Sequence, residues 1–211
     1  MAHASARSSA GALRFATVTA MGATDRRTKV LRASLDLIAE NGVRGLRLED
    51  VAERADVALS LIYYHFGNRI DLLRAVFRYA NEQAASTDIF AASGRSGYDR
   101  LEAGMLGEMR GNSVRANAVV WNELTASAVF EPELRDEVTE TTRSWVQGIE
   151  DTIRSGQADG SIRADVDPAD EAEIVASVLD GLSTRWVSGS ISAARARTLL
   201  KQAIRQHLAP R

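Results

Sequence analysis

The chain has 211 residues, of which 45% are hydrophobic and 26% charged, a composition typical of a globular protein with one large or two small domains. It contains no cysteine, which excludes disulfides, thiolate metal sites and cysteine nucleophiles, and no apolar run approaches the roughly eighteen residues of a membrane span. The net charge of −2 is uneven, since residues 1–80 carry twelve Lys and Arg against eight Asp and Glu, and the remainder carry fourteen against twenty. The basic N-terminal part suggests a polyanionic partner, with chance drift of surface charge as the alternative, and the lack of cysteine favours the cytoplasm.

Residues 1–24 are predicted to form a disordered arm. The first twenty are rich in Ala, Ser and Thr, contain two Arg and no acidic residue, and have no apolar run long enough for a secretory signal. Two alternatives are that they precede a true start at Met21, or that this basic arm contacts DNA phosphates.

Three short helices are predicted in residues 25–70. Apolar side chains recur at helical spacing in residues 30–38, and Asn41 and Gly42 supply a left-handed stop. The next two helices, in residues 48–55 and 59–66, each place apolar side chains at relative positions 0, 3, 4 and 7. Only three residues link them, and two short helices joined so tightly predict a helix-turn-helix.

The rest of the chain is also predicted to be helical. Gly67 ends the third helix, and Asn68 is expected to cap the fourth. Further helical patterns occur in residues 98–110, 113–130, 132–154, 168–187 and 193–208. Because no stretch shows the alternation of a β-strand, the sequence predicts an all-α protein with a head in residues 25–70 and a body in residues 71–211.

The third helix has an outer face unlike a solvated one. On a helical wheel its apolar 0, 3, 4, 7 residues fall on one side, with Tyr63, also a candidate DNA-binding residue, at the margin. The opposite side carries residues suited to base edges and thymine methyls in the DNA major groove, namely Ser60, Leu61, Tyr64 and His65. Arg47 and Arg69 flank this helix and are expected to contact phosphates. The alternative is that Tyr64 and His65 pack on a neighbouring helix of the body.

Residues 27–73 carry a family signature. The stretch VAERADVALSLIYYHFGNRIDLL resembles the DNA-binding signature of TetR-family transcriptional regulators, in which I-A-x-x-A-G-V-S is followed by L-Y-x-x-F and a basic residue. Asp56 replaces the usual glycine but tolerates a left-handed turn. Ala58 and Arg47 replace residues that commonly cap the third and second helices, and Arg69 replaces the commoner lysine.

This resemblance implies a helix-turn-helix DNA-binding domain in residues 25–70, and a ligand-binding and dimerisation domain in residues 71–211. Ligand-binding residues are expected between the fifth and eighth helices, with Met105, Met109, Asn117, Trp121, Thr125 and Trp145 as candidates. Apolar stripes on the last two helices predict a homodimer interface that includes Ile174, Val178, Leu179, Leu182, Trp186, Leu200 and Ile204. The alternatives are that the first set forms plain core, and that both stripes are buried within one subunit.

The predicted function is that of a transcriptional repressor which binds a double-stranded palindromic operator and is released by a small apolar effector. No cofactor or metal is expected. An enzyme is disfavoured because the three histidines lie far apart and no nucleotide-binding, zinc-protease or serine-hydrolase motif occurs. A helical module that binds only protein is the other alternative, and a gel-shift assay distinguishes it.

Overall fold

The computed structural model of the protein describes residues 25–85, 95–109 and 112–210, and the predicted arm in residues 1–24 lies outside them. Within the described ranges the chain is helical and contains no strand, as predicted. The helices are α1 (25–41), α2 (Leu48–Ala55), α3 (Leu59–Phe66), α4 (Arg69–Ala85), α5 (Gly97–Gly107), α6 (Asn112–Ser127), α7 (Arg135–Ala158), α8 (Pro168–Val187) and α9 (Ala193–Leu208). Helix α6 ends at Ser127, three residues before its predicted end. A 3-10 turn, Pro132–Leu134, precedes α7.

The turns of the head form where the sequence places residues that tolerate a left-handed backbone. Gly42 ends α1 with a φ of 72°, and Gly67 ends α3 with a φ of 76°. Asp56, between α2 and α3, has a φ of 53°, and its N–H bonds to the carbonyl of Glu53. The expectation that Asp56 preserves the turn without glycine is therefore confirmed.

Helix α4 runs from the head into the body. It begins at a cap formed by Asn68, whose Oδ1 accepts the N–H of Asp71 at 2.9 Å. Farther along, Arg74 donates to the carbonyl of Glu133 at 2.8 Å. The first bond caps α4 where the sequence predicts its start. The second connects α4 to the turn before α7.

Two clusters of buried side chains hold the molecule together. The head core combines α1 to α4 with four residues from beyond α5, namely Val120, Leu124, Ala128 and Leu134. The body core is built by α5, α7, α8 and α9. Helix α6 thus supplies part of the core of the predicted DNA-binding domain, and the domain boundary after residue 70 stays a prediction.

The apolar stripe of α9 belongs to the body core. Leu200 and Ile204 are fully buried there, and Leu179 and Leu182 of α8 are buried with them. In this structure these three leucines and one isoleucine are enclosed by their own subunit, and their part in a subunit interface stays a prediction. Of the other predicted interface residues on α8, Val178 and Trp186 are half-buried, whereas Ile174 remains 39% exposed.

Within the described ranges, no helix combines the length and the apolar character needed to cross a bilayer.

The ends of α8 follow the predicted signals. Asp167 accepts the N–H groups of Ala169 and Asp170, Pro168 occupies the first turn, and Gly189 after the helix has a φ of 79°.

Candidate nucleic-acid interface and effector domain

Helix α3 has one buried and one open face. Ile62 is 1% exposed and packs in the head core together with Phe66. On the opposite side Tyr64 is 82% exposed, and Ser60 is exposed beside it. Because Tyr64 is so exposed, the alternative that Tyr64 and His65 both pack on a helix of the body does not hold for Tyr64. The helix therefore presents a phenol to whatever binds the head.

The other predicted reading residues surround Tyr64. Leu61 and His65 are half-buried, and Tyr63 lies exposed at the edge of the face, as the helical wheel indicates. The His65 ring makes an edge contact with Tyr64, with ring centroids 5.2 Å apart and an interplanar angle of 73°. The two aromatic rings thus lie side by side on the open face of α3.

A positive charge from α1 lies next to α3. The guanidinium of Arg27 lies over the ring of Phe66, 5.4 Å from its centroid. At the start of α2, Arg47 is exposed and makes no side-chain capping bond, and Ala58 likewise leaves the start of α3 without a side-chain cap. The N-terminus of α3 has no acidic residue in its first turn and suits a phosphate group, whereas the first turn of α2 carries Glu49 and Asp50.

Arg69 is engaged inside the protein. Its guanidinium donates to the carbonyls of Val43 at 2.6 Å and Leu46 at 3.3 Å, and lies 3.6 Å from a carboxylate oxygen of Glu131. In this structure Arg69 therefore orders the loop between α1 and α2 and does not present a free guanidinium. Its contact with DNA phosphate stays a prediction.

The structure separates the six predicted effector residues. Met105 and Met109 are fully buried in the body core, and Trp145 packs against that core. Trp121 packs instead against the head core. Contrary to the expectation of an internal face, the two polar candidates are on the exposed surface of α6, namely Asn117 and Thr125. A joint role of the six in effector binding stays a prediction.

Trp121 lies at a junction of three helices. Its ring stacks on Phe77 of α4, with centroids 5.3 Å apart and planes 20° apart. Its indole also lies close enough to the carboxylate of Asp180 on α8 to influence the pKa of that group. Loss of water around that carboxyl group raises the pKa of Asp180, and the nearby indole acts in the opposite direction. One aromatic side chain thus connects α4, α6 and α8.

A groove of about 470 Å³ lies between α7 and α8. Its lining includes apolar Val138 and Val146 and charged Arg143, Glu150 and Glu173. None of the predicted effector residues lines this groove.

Glu108 lies at the end of α5, next to Met109, and burial raises the pKa of its carboxyl group.

The chain matches two family models that together cover most of the head and body. Residues 30–76 match the model of bacterial regulatory proteins of the tetR family. Residues 99–209, just over half of the chain, match that of the C-terminal domain of BetI-type transcriptional repressors. The chain belongs to the TetR family of transcriptional regulators.

Curated TetR-family relatives match about half of the chain. The transcriptional repressor KstR of Mycolicibacterium smegmatis is 32% identical over 107 residues, which is 50% of this chain and 52% of KstR. The transcriptional regulator BetI of Burkholderia mallei is 29% identical over 113 residues, which is 52% of this chain and 58% of BetI. The matched part thus spans about half the length of these relatives.

Solved TetR-family structures extend the similarity to the whole fold. A crystal structure from Rhodococcus sp., described as a TetR-family transcriptional regulator, has 42% identity and a TM-score of 0.81, and covers 88% of this chain and 100% of that one. A transcriptional regulator from Saccharomonospora viridis in complex with choline also has a TM-score of 0.81, covering 89% of this chain and 100% of that one. Its 24% identity shows a shared fold.

One residue with a long-range partner, Glu123, was not identified from the sequence. Glu123 lies on the same side of α6 as Val120 and Leu124, which are both buried in the head core. A carboxylate three residues after one core position and next to another must find a partner, because burying an unpaired charge is costly. That pattern is the signal that could have identified Glu123, and its partner is the N–H of Val43 at 2.9 Å.

Proposed function

We propose that this TetR-family protein is a transcriptional repressor that binds a palindromic DNA operator as a homodimer and is released by a small effector. The observation that carries the proposal is the open face of α3, where Tyr64 is 82% exposed on a helix held from behind by Ile62 and Phe66. A bulky aromatic residue normally contributes to a core, so its full exposure on a helix-turn-helix supports a role in base contacts. Such a protein would act in the cytoplasm, where bacterial DNA lies.

The charge around α3 supports DNA as the ligand. Arg27 and Arg47 approach from α1 and α2, while the hydroxyl of Ser60 and the imidazole of His65 offer hydrogen bonds to base edges. Phosphate contacts position the head, and contacts from the α3 face select the sequence.

A homodimer is supported by the outward face of α8 and is typical of the family. Ile174 is exposed there, half-buried Val178 is one turn farther on, and Gly181 leaves room for close approach of another helix. Two heads related by a two-fold axis would read a palindromic operator.

The effector is proposed to bind the body. This proposal is supported by the neighbour from Saccharomonospora viridis, whose crystal structure is a complex with choline. Met105 and Met109 offer flexible apolar side chains in the interior, so an apolar molecule entering between α5 and α7 would displace packing that is easily rearranged. To act, it must bind the DNA-free form better than the DNA-bound form.

The first experiment is a gel-shift titration with the DNA immediately upstream of the protein's own gene, against an unrelated duplex of equal length. Specific, salt-sensitive binding is expected. Arg47→Ala should weaken both duplexes alike and lower the salt slope by about one, because one phosphate contact is lost. Arg195→Ala, which removes an exposed arginine on α9, is the matched control and should change neither. Equal affinity of the wild type for both duplexes at every salt concentration would argue against sequence-specific binding.

The second experiment tests release by an effector. Apolar compounds are screened by quenching of tryptophan fluorescence, and a compound that binds is titrated into the protein–DNA complex. Coupling of about 1 to 3 kcal/mol should weaken DNA binding roughly 5- to 150-fold, and DNA should weaken binding of the compound by the same factor. A compound that binds the body without changing DNA affinity would contradict release by that site.

A further inference from the structure

The loop between α1 and α2, residues 42–47, is held by a carboxylate from the body. Oε2 of Glu123 on α6 accepts the N–H of Val43 at 2.9 Å. Gly42 permits this approach, because a Cβ at that position would lie 2.8 Å from the same oxygen. Gly42 also has a φ of 72°, and this backbone conformation is the stronger reason for glycine at this position.

The turn after α6 holds the same loop from a second direction. Arg69 donates to the carbonyls of Val43 and Leu46 and lies beside the carboxylate of Glu131. One oxygen of that carboxylate is buried and makes no hydrogen bond within the described protein, so the nearby guanidinium provides its compensating charge. Arg44, which follows Val43 in the loop, places its guanidinium over the ring of Phe130, 5.7 Å from the ring centroid.

Helix α6 is also hydrogen-bonded to α8. Arg115 donates to the carbonyl of Val187 at 2.9 Å, and the amide of Asn122 exchanges hydrogen bonds with Ser183 and Thr184. Helix α6 is therefore bonded at several points to the body, and its C-terminal end is bonded to the head.

We propose that the end of α6 and the turn after it, residues 123–131, form a latch on the α1–α2 loop, with Glu123 as the positioning residue that sets the orientation of the DNA-reading head. The latch is also the route by which movement of α6 in the body changes DNA affinity, and this part rests on the proposed function. Because a hydrogen bond is lost once donor and acceptor separate by much more than about 3.5 Å, a small shift of α6 releases Val43. Since α3 follows the loop through α2, release of the loop frees the reading helix to reorient.

The experiment measures the orientation of the head directly. The chain has no cysteine, so a pair of cysteines can be introduced at exposed Glu53 on α2 and exposed Ser144 on α7 and spin-labelled without other substitutions. Pulsed electron–electron double resonance measures the distance between the two spin labels. Dilution of the labelled protein into a large excess of unlabelled protein ensures that both labels belong to one subunit. The wild-type background should give a single narrow distribution.

Three further variants decide the role of Glu123. Glu123→Ala should broaden the distribution, whereas Glu123→Gln should keep it narrow because its amide oxygen still accepts the N–H of Val43. Glu140→Ala removes an exposed carboxylate that pairs with Arg143 on its own helix, and it should also leave the distribution narrow. If Glu123→Ala loses its helical circular dichroism, Glu123→Asp replaces it, because the shorter side chain keeps the charge and does not reach the loop.

The distance distributions test the latch, and the gel shifts test its role in DNA binding. A narrow distribution in folded Glu123→Ala, or equal broadening in Glu140→Ala, would overturn it. In gel shifts with the upstream DNA, Glu123→Ala should change affinity severalfold and Glu123→Gln should restore it. A broadened distribution with unchanged DNA affinity would overturn the regulatory role. If the wild type binds no DNA specifically, the proposed function and that regulatory role fail, while the distance measurement still tests how the head is held.

Discussion

Substitutions on the two faces of α3 should separate DNA recognition from folding. Tyr64→Ala removes a side chain that is 82% exposed, so the free energy of unfolding should change by no more than about 0.5 kcal/mol. Ile62→Ala removes a side chain that is 1% exposed in the head core, which should cost about 2 to 5 kcal/mol. For a chain of this size that loss lowers Tm by roughly 4 to 20 °C.

The effects of the two substitutions on DNA affinity should be reversed, with the larger effect from Tyr64→Ala. A base contact contributes about 1 to 3 kcal/mol of discrimination, so Tyr64→Ala should reduce the ratio of specific to non-specific affinity by at least about fivefold. Ile62→Ala should leave this ratio unchanged for the folded fraction, since its side chain does not reach the surface. Circular dichroism melts measure the first effect, and gel shifts at fixed salt with specific and unrelated duplexes measure the second. A Tyr64→Ala protein that melts like Ile62→Ala, or that keeps the full affinity ratio, would refute the assignment of the two faces.

Three further predictions concern the body. Ile174→Glu should yield folded monomers in light scattering, because it places a carboxylate on the exposed face of α8; an unchanged dimer would exclude that face. Gly97→Ala should lower stability by about 1 to 3 kcal/mol, since its Cβ would lie 2.4 Å from the backbone of Gly156, whereas the control Gly107→Ala, with open space around it, should not destabilise. Asp180→Asn should raise Tm at pH 7 and less so near pH 4. The raised pKa means that folding disfavours the ionised carboxylate, so wild-type stability falls as pH rises above the ordinary value of 3.8; parallel pH profiles would contradict this.

The candidate reading face could be predicted because it depends on one helix alone. The positions of Tyr64 and Ile62 on opposite sides of α3 follow from 3.6 residues per turn, and the structure places them so. The role of Arg69 could not be predicted in the same way. Its carbonyl partners, Val43 and Leu46, are more than twenty residues away in sequence, and no local pattern specifies that pairing.

The apolar stripes of the body show the same limit. A helical stripe indicates that a face is buried but does not identify what buries it, so Leu200 and Ile204 suited a subunit interface and a core equally well. Packing of α9 on α5 and α8 encloses them within one subunit. The outward residue Ile174 could be distinguished only after that packing was known.

The sequence by itself determined the helical class, the order of the helices, the left-handed turns at Gly42, Asp56 and Gly67, and the two faces of α3. These properties depend on residues within one or two turns of each other, where backbone preferences and helical periodicity act directly. Only the tertiary structure decided that the end of α6 holds the head, that Glu123 bonds to Val43, and which face of α8 stays open. Those outcomes depend on contacts between segments distant in the chain, and such contacts are selected by the packing of the whole molecule.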